Sequence, residues 1–102
     1  MDKREALKLT KQYVKLLKEK YDVKKAFMFG SFARGNAHED SDIDVAVVLG
    51  KKFNFLDTQL ELMKMTWSLD SRIEPHPIHE KDFNKDFSFA NEILKYGISI
   101  KV

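Results

Sequence analysis

Apolar side chains recur at a helical interval at the start of the chain. Ala6, Leu9, Tyr13, Leu16 and Leu17 fall on one stripe, and Leu7 and Val14 widen it. The spacing predicts an amphipathic helix over residues 3 to 20. Lys25 to Phe29 then forms a short, mostly apolar run ending at Gly30, which reads as a buried strand. Ser31 to Arg34 reads as one helical turn stopped by Gly35, and the polar stretch from Asn36 to Ser41 as a loop. Asp42 to Leu49 alternates at first and is then apolar on both faces, as suits a central strand with one end at a site. Leu56, Leu60, Met63 and Trp67 mark a further helix, with Asn54 as its N-cap. That stripe, Trp67 included, reads as core packing rather than as a platform for a base. Ser71 to Ile78 predicts a third strand. Pro75 and Pro77 each remove a backbone donor, so it belongs at a sheet edge or is irregular at its end. Phe87 to Tyr96 reads as a helix with Phe87, Ala90, Ile93 and Leu94 inward and Gly97 as its stop. Ile98 to Val102 is a tail able to form a short strand.

The order helix, strand, turn, strand, helix, strand, helix predicts an α/β (α+β) architecture. One mixed sheet of three to four strands is covered by helices on at least one face. A chain of 102 residues is expected to form a single domain spanning 1–102, with room for one sheet layer, its helices and little else. The composition, 43% hydrophobic and 33% charged, excludes a disordered or membrane-embedded class. No apolar run approaches the roughly 20 residues that span a bilayer, and the charged start lacks the apolar stretch of a signal peptide. The chain has no cysteine, which removes disulfide frameworks and thiolate metal sites and fits a reducing compartment. A cytoplasmic setting is the expectation. A net charge of +2 is too mild to argue for DNA binding. Lys3, Lys8, Lys11, Lys15 and Lys18 gather on the first helix and read as its solvated face, with a partner- or RNA-binding face as the alternative.

Chemistry enters with Asp42 and Asp44. Two apart on a strand, their carboxylates fall on one face and repel each other. A shared proton, a nearby cation or a divalent metal must offset that repulsion. Oxygen-only ligands favour Mg²⁺ or Mn²⁺ over zinc. Gly30-Ser31 follows a strand and opens a helical turn, where free backbone amides can hold a phosphate and a glycine lets it approach closely. Ser31 adds a hydroxyl donor. Arg34 lies one turn on, able to reach back to the site or to brace the following loop. Each piece alone is ordinary. Together they set anion donors beside a metal-binding pair, as a metal–nucleoside triphosphate requires. His76 and His79 form His-x-x-His without cysteine partners or a helical frame, and read as solvated loop residues. A minor substrate contact is open to His76 if it shares a strand face with Glu74. His38, in the loop beside the motif, has no evident role.

Gly30-Ser31, then ten residues, then Asp42-Ile43-Asp44 resembles the signature of the DNA polymerase β-like nucleotidyltransferase superfamily. The fuller string, Gly-Ser-Phe-Ala-Arg-Gly followed by Ser-Asp-Ile-Asp-Val, resembles its minimal nucleotidyltransferase (MNT) branch. The match rests on Gly30, Ser31, Arg34, Gly35, Ser41, Asp42 and Asp44, with a looser likeness from the first helix to about residue 80. The resemblance implies a palm-like sheet, Mg²⁺ or Mn²⁺, and ATP or another nucleoside triphosphate as substrate. Gly30, Ser31, Arg34 and Ser41 would bind the nucleotide. Asp42, Asp44 and Glu74 would be the catalytic, metal-holding carboxylates. Glu74 stands where the family more commonly has aspartate, and Asp70, placed at a helix end, is the fallback. The implied reaction is two-metal phosphoryl transfer, in which an acceptor hydroxyl attacks the α-phosphate in line and pyrophosphate leaves.

Larger members of the superfamily hold template, primer or tRNA with further domains, for which this sequence has no room. The acceptor is therefore expected to be small or to come from a partner. The MNT resemblance implies a helical HEPN-type toxin as that partner, with the MNT protein as an antitoxin that transfers AMP from ATP to a tyrosine of the toxin. Two readings stand beside it. One is a catalytically weak or inactive nucleotide-binding module that neutralises its partner by direct contact. The other is an independent small-molecule nucleotidyltransferase. Sequence alone leaves a homo-oligomer open.

Overall fold

The structure is a computed structural model and describes residues 1–84 and 88–102. Its elements, in chain order, are α1 (Lys3–Lys18), β1 (Val23–Phe29), α2 (Ser31–Arg34), β2 (Ile43–Leu49), α3 (Phe55–Met65), β3 (Ile73–His79), α4 (Ser88–Tyr96) and β4 (Ile98–Ile100), with a single 3₁₀ turn at Glu80–Asp82. The strands form one mixed sheet in the order β3-β2-β1-β4. β1 is antiparallel to β2 and to β4, and β2 is parallel to β3. A parallel neighbour needs a crossover, and α3 supplies it.

Helix boundaries follow local chemistry. Asp2 caps α1 by accepting from the Glu5 amide at 2.9 Å, and Asn54 caps α3 by accepting from the Asp57 amide at 3.0 Å. Gly35 ends α2 in the left-handed region, at φ 81°. Ala6, Tyr13, Val14 and Leu17 of α1 lie over one face of the sheet, packed with Ala26, Met28, Ile43, Val45, Val47, Leu49 and Ile73. Each large side chain buried this way contributes about 1.5–3 kcal/mol. The Tyr13 hydroxyl donates to the Leu62 carbonyl at 2.7 Å, tying α1 to α3 inside this layer and satisfying the one polar atom of that ring. The opposite face carries Phe27, Phe29, Ala46, Val48 and Ile78, covered by Ile93 of α4. The sheet is thus sandwiched, where the sequence required cover on at least one face.

The edge position expected of the proline-bearing strand is observed: β3 has β2 on one side and, among the described residues, no strand on the other. Several expectations need correction. β3 begins at Ile73 and runs to His79, so His76 and His79 are strand residues rather than loop residues. β2 begins at Ile43, which leaves Asp42 just ahead of it. The stripe assigned to the core on α3 faces outward: Leu56, Leu60, Met63 and Trp67 are 65, 50, 46 and 74% exposed, while Thr58 and Leu62 face in. The helix lies over the edge of the sheet, so only a narrow strip of it finds a surface to cover. Leu94 of α4 is likewise exposed, while Ala90 and Ile93 are buried as expected. Phe87 lies outside the described residues.

Candidate active site

The end of β1, the start of β2 and the start of β3 meet at one end of the sheet. In the ladder, Phe29 stands opposite Asp44, and Asp44 opposite Glu74. Alternation turns Asp44, Glu74 and His76 to the face covered by α4. Their ligand atoms, one carboxylate oxygen each from Asp44 and Glu74 and one imidazole nitrogen of His76, lie within 4.8 Å of one another. His76 Nε2 is 3.1 Å from Asp44 Oδ1. The imidazole is also fixed by rings: Phe29 meets it edge-on with centroids 5.0 Å apart, and Phe89 lies 5.7 Å away.

Gly30 brings the turn before α2 against these carboxylates. Its φ is 76°, a region that disfavours any other residue, and a Cβ there would collide with Asp44 Oδ2. The turn therefore approaches Asp44 as closely as a main chain can. α2 starts at the next residue, and the first amides of a helix have no intrahelical partner.

Glu74 is the group whose electrostatics are most altered. Removal of part of its hydration shell comes first, followed by the Asp44 charge and, more weakly, the Asp42 charge, and together they hold its carboxyl above the ordinary carboxylate range. His76 pulls the other way. Asp42 is exposed at the head of β2 and shares a cleft with Glu74. Three carboxyl groups so placed repel one another, and a divalent cation is the natural counter-charge. Two carboxylates with room for a third fit Mg²⁺ or Mn²⁺, and the imidazole adds a nitrogen donor that Mn²⁺ and softer ions accept more readily than Mg²⁺.

The remaining residues singled out in the sequence take supporting places. Arg34 donates to Glu92 Oε1 at 2.9 Å, so it braces α4 rather than the following loop. The Ser41 hydroxyl accepts from the His38 amide at 2.7 Å and closes the loop that delivers Asp42, which also gives His38 a place. Asp70, the fallback third carboxylate, is committed to Arg72 through Nε at 2.9 Å and a terminal nitrogen at 2.7 Å. That contact holds its carboxyl below the usual range. His79 points to the other side of the strand and stacks on Phe53 at 3.9 Å, so the two histidines share no ligand. The sequence left His76 open only as a minor substrate contact on the face of Glu74; its place beside Asp44 in the carboxylate cluster, and that of Trp67 in the cleft, were not expected. Glu74-x-His76 on one strand face was the available signal for the first.

The nucleotidyltransferase domain family matches residues 10–100. The chain belongs to that family. It is therefore an enzyme of nucleotidyltransferase type. Two proteins of Methanocaldococcus jannaschii, each provisionally named a protein adenylyltransferase, align along nearly their whole length. One is 36% identical over 88% of this chain and 92% of its own. The other is 33% identical over 94% and 99%. Among solved structures, a nucleotidyltransferase of Sulfolobus solfataricus, so named provisionally, shares the fold at a TM-score of 0.70 and 21% identity, over 95% of this chain and 80% of that one. A toxin–antitoxin structure with AMP-PNP superposes at a TM-score of 0.66 and 21% identity, over 87% and 70%. The expected palm-like sheet is the nucleotidyltransferase fold seen in these neighbours.

Proposed function

We propose that this nucleotidyltransferase transfers a nucleoside monophosphate, AMP from ATP, to a hydroxyl of a protein partner, and that it does so as the antitoxin of a pair with a helical HEPN-type toxin. The observation that carries the reading is the collection of Asp44, Glu74 and Asp42 at the sheet end against which the Gly30 turn is pressed. The relatives named for protein adenylyltransfer and the toxin–antitoxin neighbour with AMP-PNP support the choice of nucleotide and of acceptor class. The reading calls for a cytoplasmic protein, where ATP is at hand. No helix among the described residues is long and apolar enough to cross a membrane.

In this reading Asp42, Asp44 and Glu74 hold Mg²⁺ or Mn²⁺, with His76 orienting Asp44 through its hydrogen bond. A bound divalent cation would offset the charge of the triphosphate and of the transition state. The Ser31 hydroxyl and the opening amides of α2 bind the outer phosphates. Arg34 and Ser41 complete the nucleotide side by bracing α4 and by fixing the loop before Asp42. The acceptor oxygen bonds to the α-phosphorus as the bond to the bridging oxygen breaks, and pyrophosphate departs. The hydroxyl proton passes to a carboxylate oxygen of Glu74.

The test mixes the protein with α-labelled ATP, Mg²⁺ or Mn²⁺, and the product of the adjacent gene. Label on that product is expected, and an Asp42→Asn, Asp44→Asn double variant should transfer none. A tight complex without label would instead establish a non-catalytic contact module. Label on a small hydroxyl compound alone would establish a small-molecule enzyme.

A further inference from the structure

The outward stripe of α3 is exposed. Leu56, Leu60, Met63 and Trp67 recur at intervals of four, three and four. These are the intervals of a coiled-coil seam, which packs against another helix. The last of them stands on the turn that carries α3 past Met65, where the Trp67 amide donates to the Lys64 carbonyl at 3.1 Å. Glu61 of α3 is turned aside, toward Lys20 and Tyr21 of the α1 end. Four such residues offer roughly 500 Å² of largely apolar surface, a size at which an exposed patch on a monomer is commonly functional.

Three observations identify the occupant. First, the seam runs into the site: Met63 and Trp67 also line the cleft that contains Asp42 and Glu74. Second, the neighbouring sheet edge is closed to an extended segment. Pro75 and Pro77 lack N–H donors, and the Gln59 side chain donates to the Pro75 carbonyl at 2.8 Å. Third, the seam alone falls short of the ~800 Å² that each partner gives to a stable interface, which suits an acceptor that must leave after transfer and not a standing dimer. A second copy docked through it would also cover the mouth of the cleft that Met63 and Trp67 line.

We infer that the α3 seam docks an amphipathic helix of the protein acceptor, placing the acceptor hydroxyl just beyond Trp67, at the cleft that leads to Asp42 and Glu74. The inference rests on the protein-acceptor reading above. It adds the surface that selects the acceptor and the form in which the acceptor is recognised, a helix with apolar residues at three- and four-residue intervals.

Trp67 is the only tryptophan of the chain, so its fluorescence reports on the seam directly. The probe is a synthetic helical peptide with leucine at the seam positions and lysine and glutamate elsewhere, set against a scrambled peptide of the same composition. Alone, the protein should emit as a water-exposed indole that iodide quenches. The leucine-seam peptide should shift the emission to the blue and protect it, and the scrambled peptide should not. Leu60→Ser should weaken the peptide response at least tenfold and raise the KM for the protein acceptor by a similar factor. Binding of a fluorescent ATP analogue should be unchanged, which shows that the variant folds.

No shift, an equal shift with the scrambled peptide, or an unchanged acceptor KM overturns the seam while leaving the transfer reading intact. A Trp67 already shielded in a dimer, seen by light scattering, overturns it in favour of a second copy. If no acceptor is ever labelled but the peptide response obeys these expectations, hydroxyl delivery falls with the transfer reading and helix docking stands.

Discussion

The segment from Gly30 to Asp44 and the strand from Ile73 to His79 supply the same corner of the sheet, yet they are held there differently. The first is local. β1, α2 and β2 follow one another, β1 and β2 pair directly, and Gly30 falls beside the Asp44 carboxylate by register alone. The second arrives through the α3 crossover and is bonded to the sheet on one side only. In the proposed reaction the difference separates two tasks: the nucleotide side would be a short continuous segment braced in the centre of the sheet, and the acceptor side an edge beside a cleft and an uncovered helix face.

The comparison can be broken most severely at Asp44. Asp44→Asn should lower transfer by about 10³-fold, the upper end for losing one electrostatic contact to a developing charge, as measured by label transferred per minute. Thermal unfolding should be little affected. Glu74→Gln should lower transfer by about 10²-fold while nucleotide binding persists, because this residue serves the acceptor side. A loss equal to that of Asp44→Asn would erase the distinction between the two segments.

Glu74 also makes a pH prediction. Its folded-state pKa lies above the ordinary value, so the folded protein binds a proton more tightly than the unfolded chain. Stability is then lost as pH rises from the unfolded into the folded pKa, and ionised Glu74 is a cost above both. With chelator present, Glu74→Gln should melt higher than wild type at pH 8 and equally at pH 4. Added Mg²⁺ or Mn²⁺ should reverse the order at pH 8. Gly30→Ala tests the local segment alone: the positive φ and the collision with Asp44 should cost about 1–3 kcal/mol in denaturant unfolding and weaken nucleotide binding. Arg34→Ala should be the mildest, below about 1 kcal/mol, since the Arg34–Glu92 pair is largely solvent-exposed.

The sequence announced the element order because periodicity is a local property. It could not announce the strand order, which depends on pairings between distant segments such as Ala26 with Ile100. α1 and α3 show the limit most clearly. Both carry a clean apolar stripe. The stripe of α1 lies over the sheet, with Ala6, Tyr13, Val14 and Leu17 buried and Leu7, Leu9 and Leu16 half-buried. That of α3 is exposed, and a strip containing Thr58, Leu62 and Thr66 faces inward instead. Periodicity reveals that a helix has two faces, but the area of sheet beneath it decides which is covered. The same reasoning applies to the site. Gly30, Ser31, Asp42 and Asp44 were legible because they are close in sequence. Glu74 was legible through family resemblance. His76 becomes a neighbour of Asp44 only once β3 is set parallel to β2, in a register that places it opposite Ala46.

That register also orders events in time. The elements on the nucleotide side are complete once Leu49 has been made, whereas Glu74 follows Asp44 by 30 residues of the sequence. At 5–20 residues per second that interval is roughly 2–6 s of synthesis, longer than small segments need to fold. A nascent chain therefore has the Gly30 turn and Asp44 before it has Glu74. β4 seals the far side of β1 later still. The carboxylates that meet at one end of the sheet are thus made well apart in time.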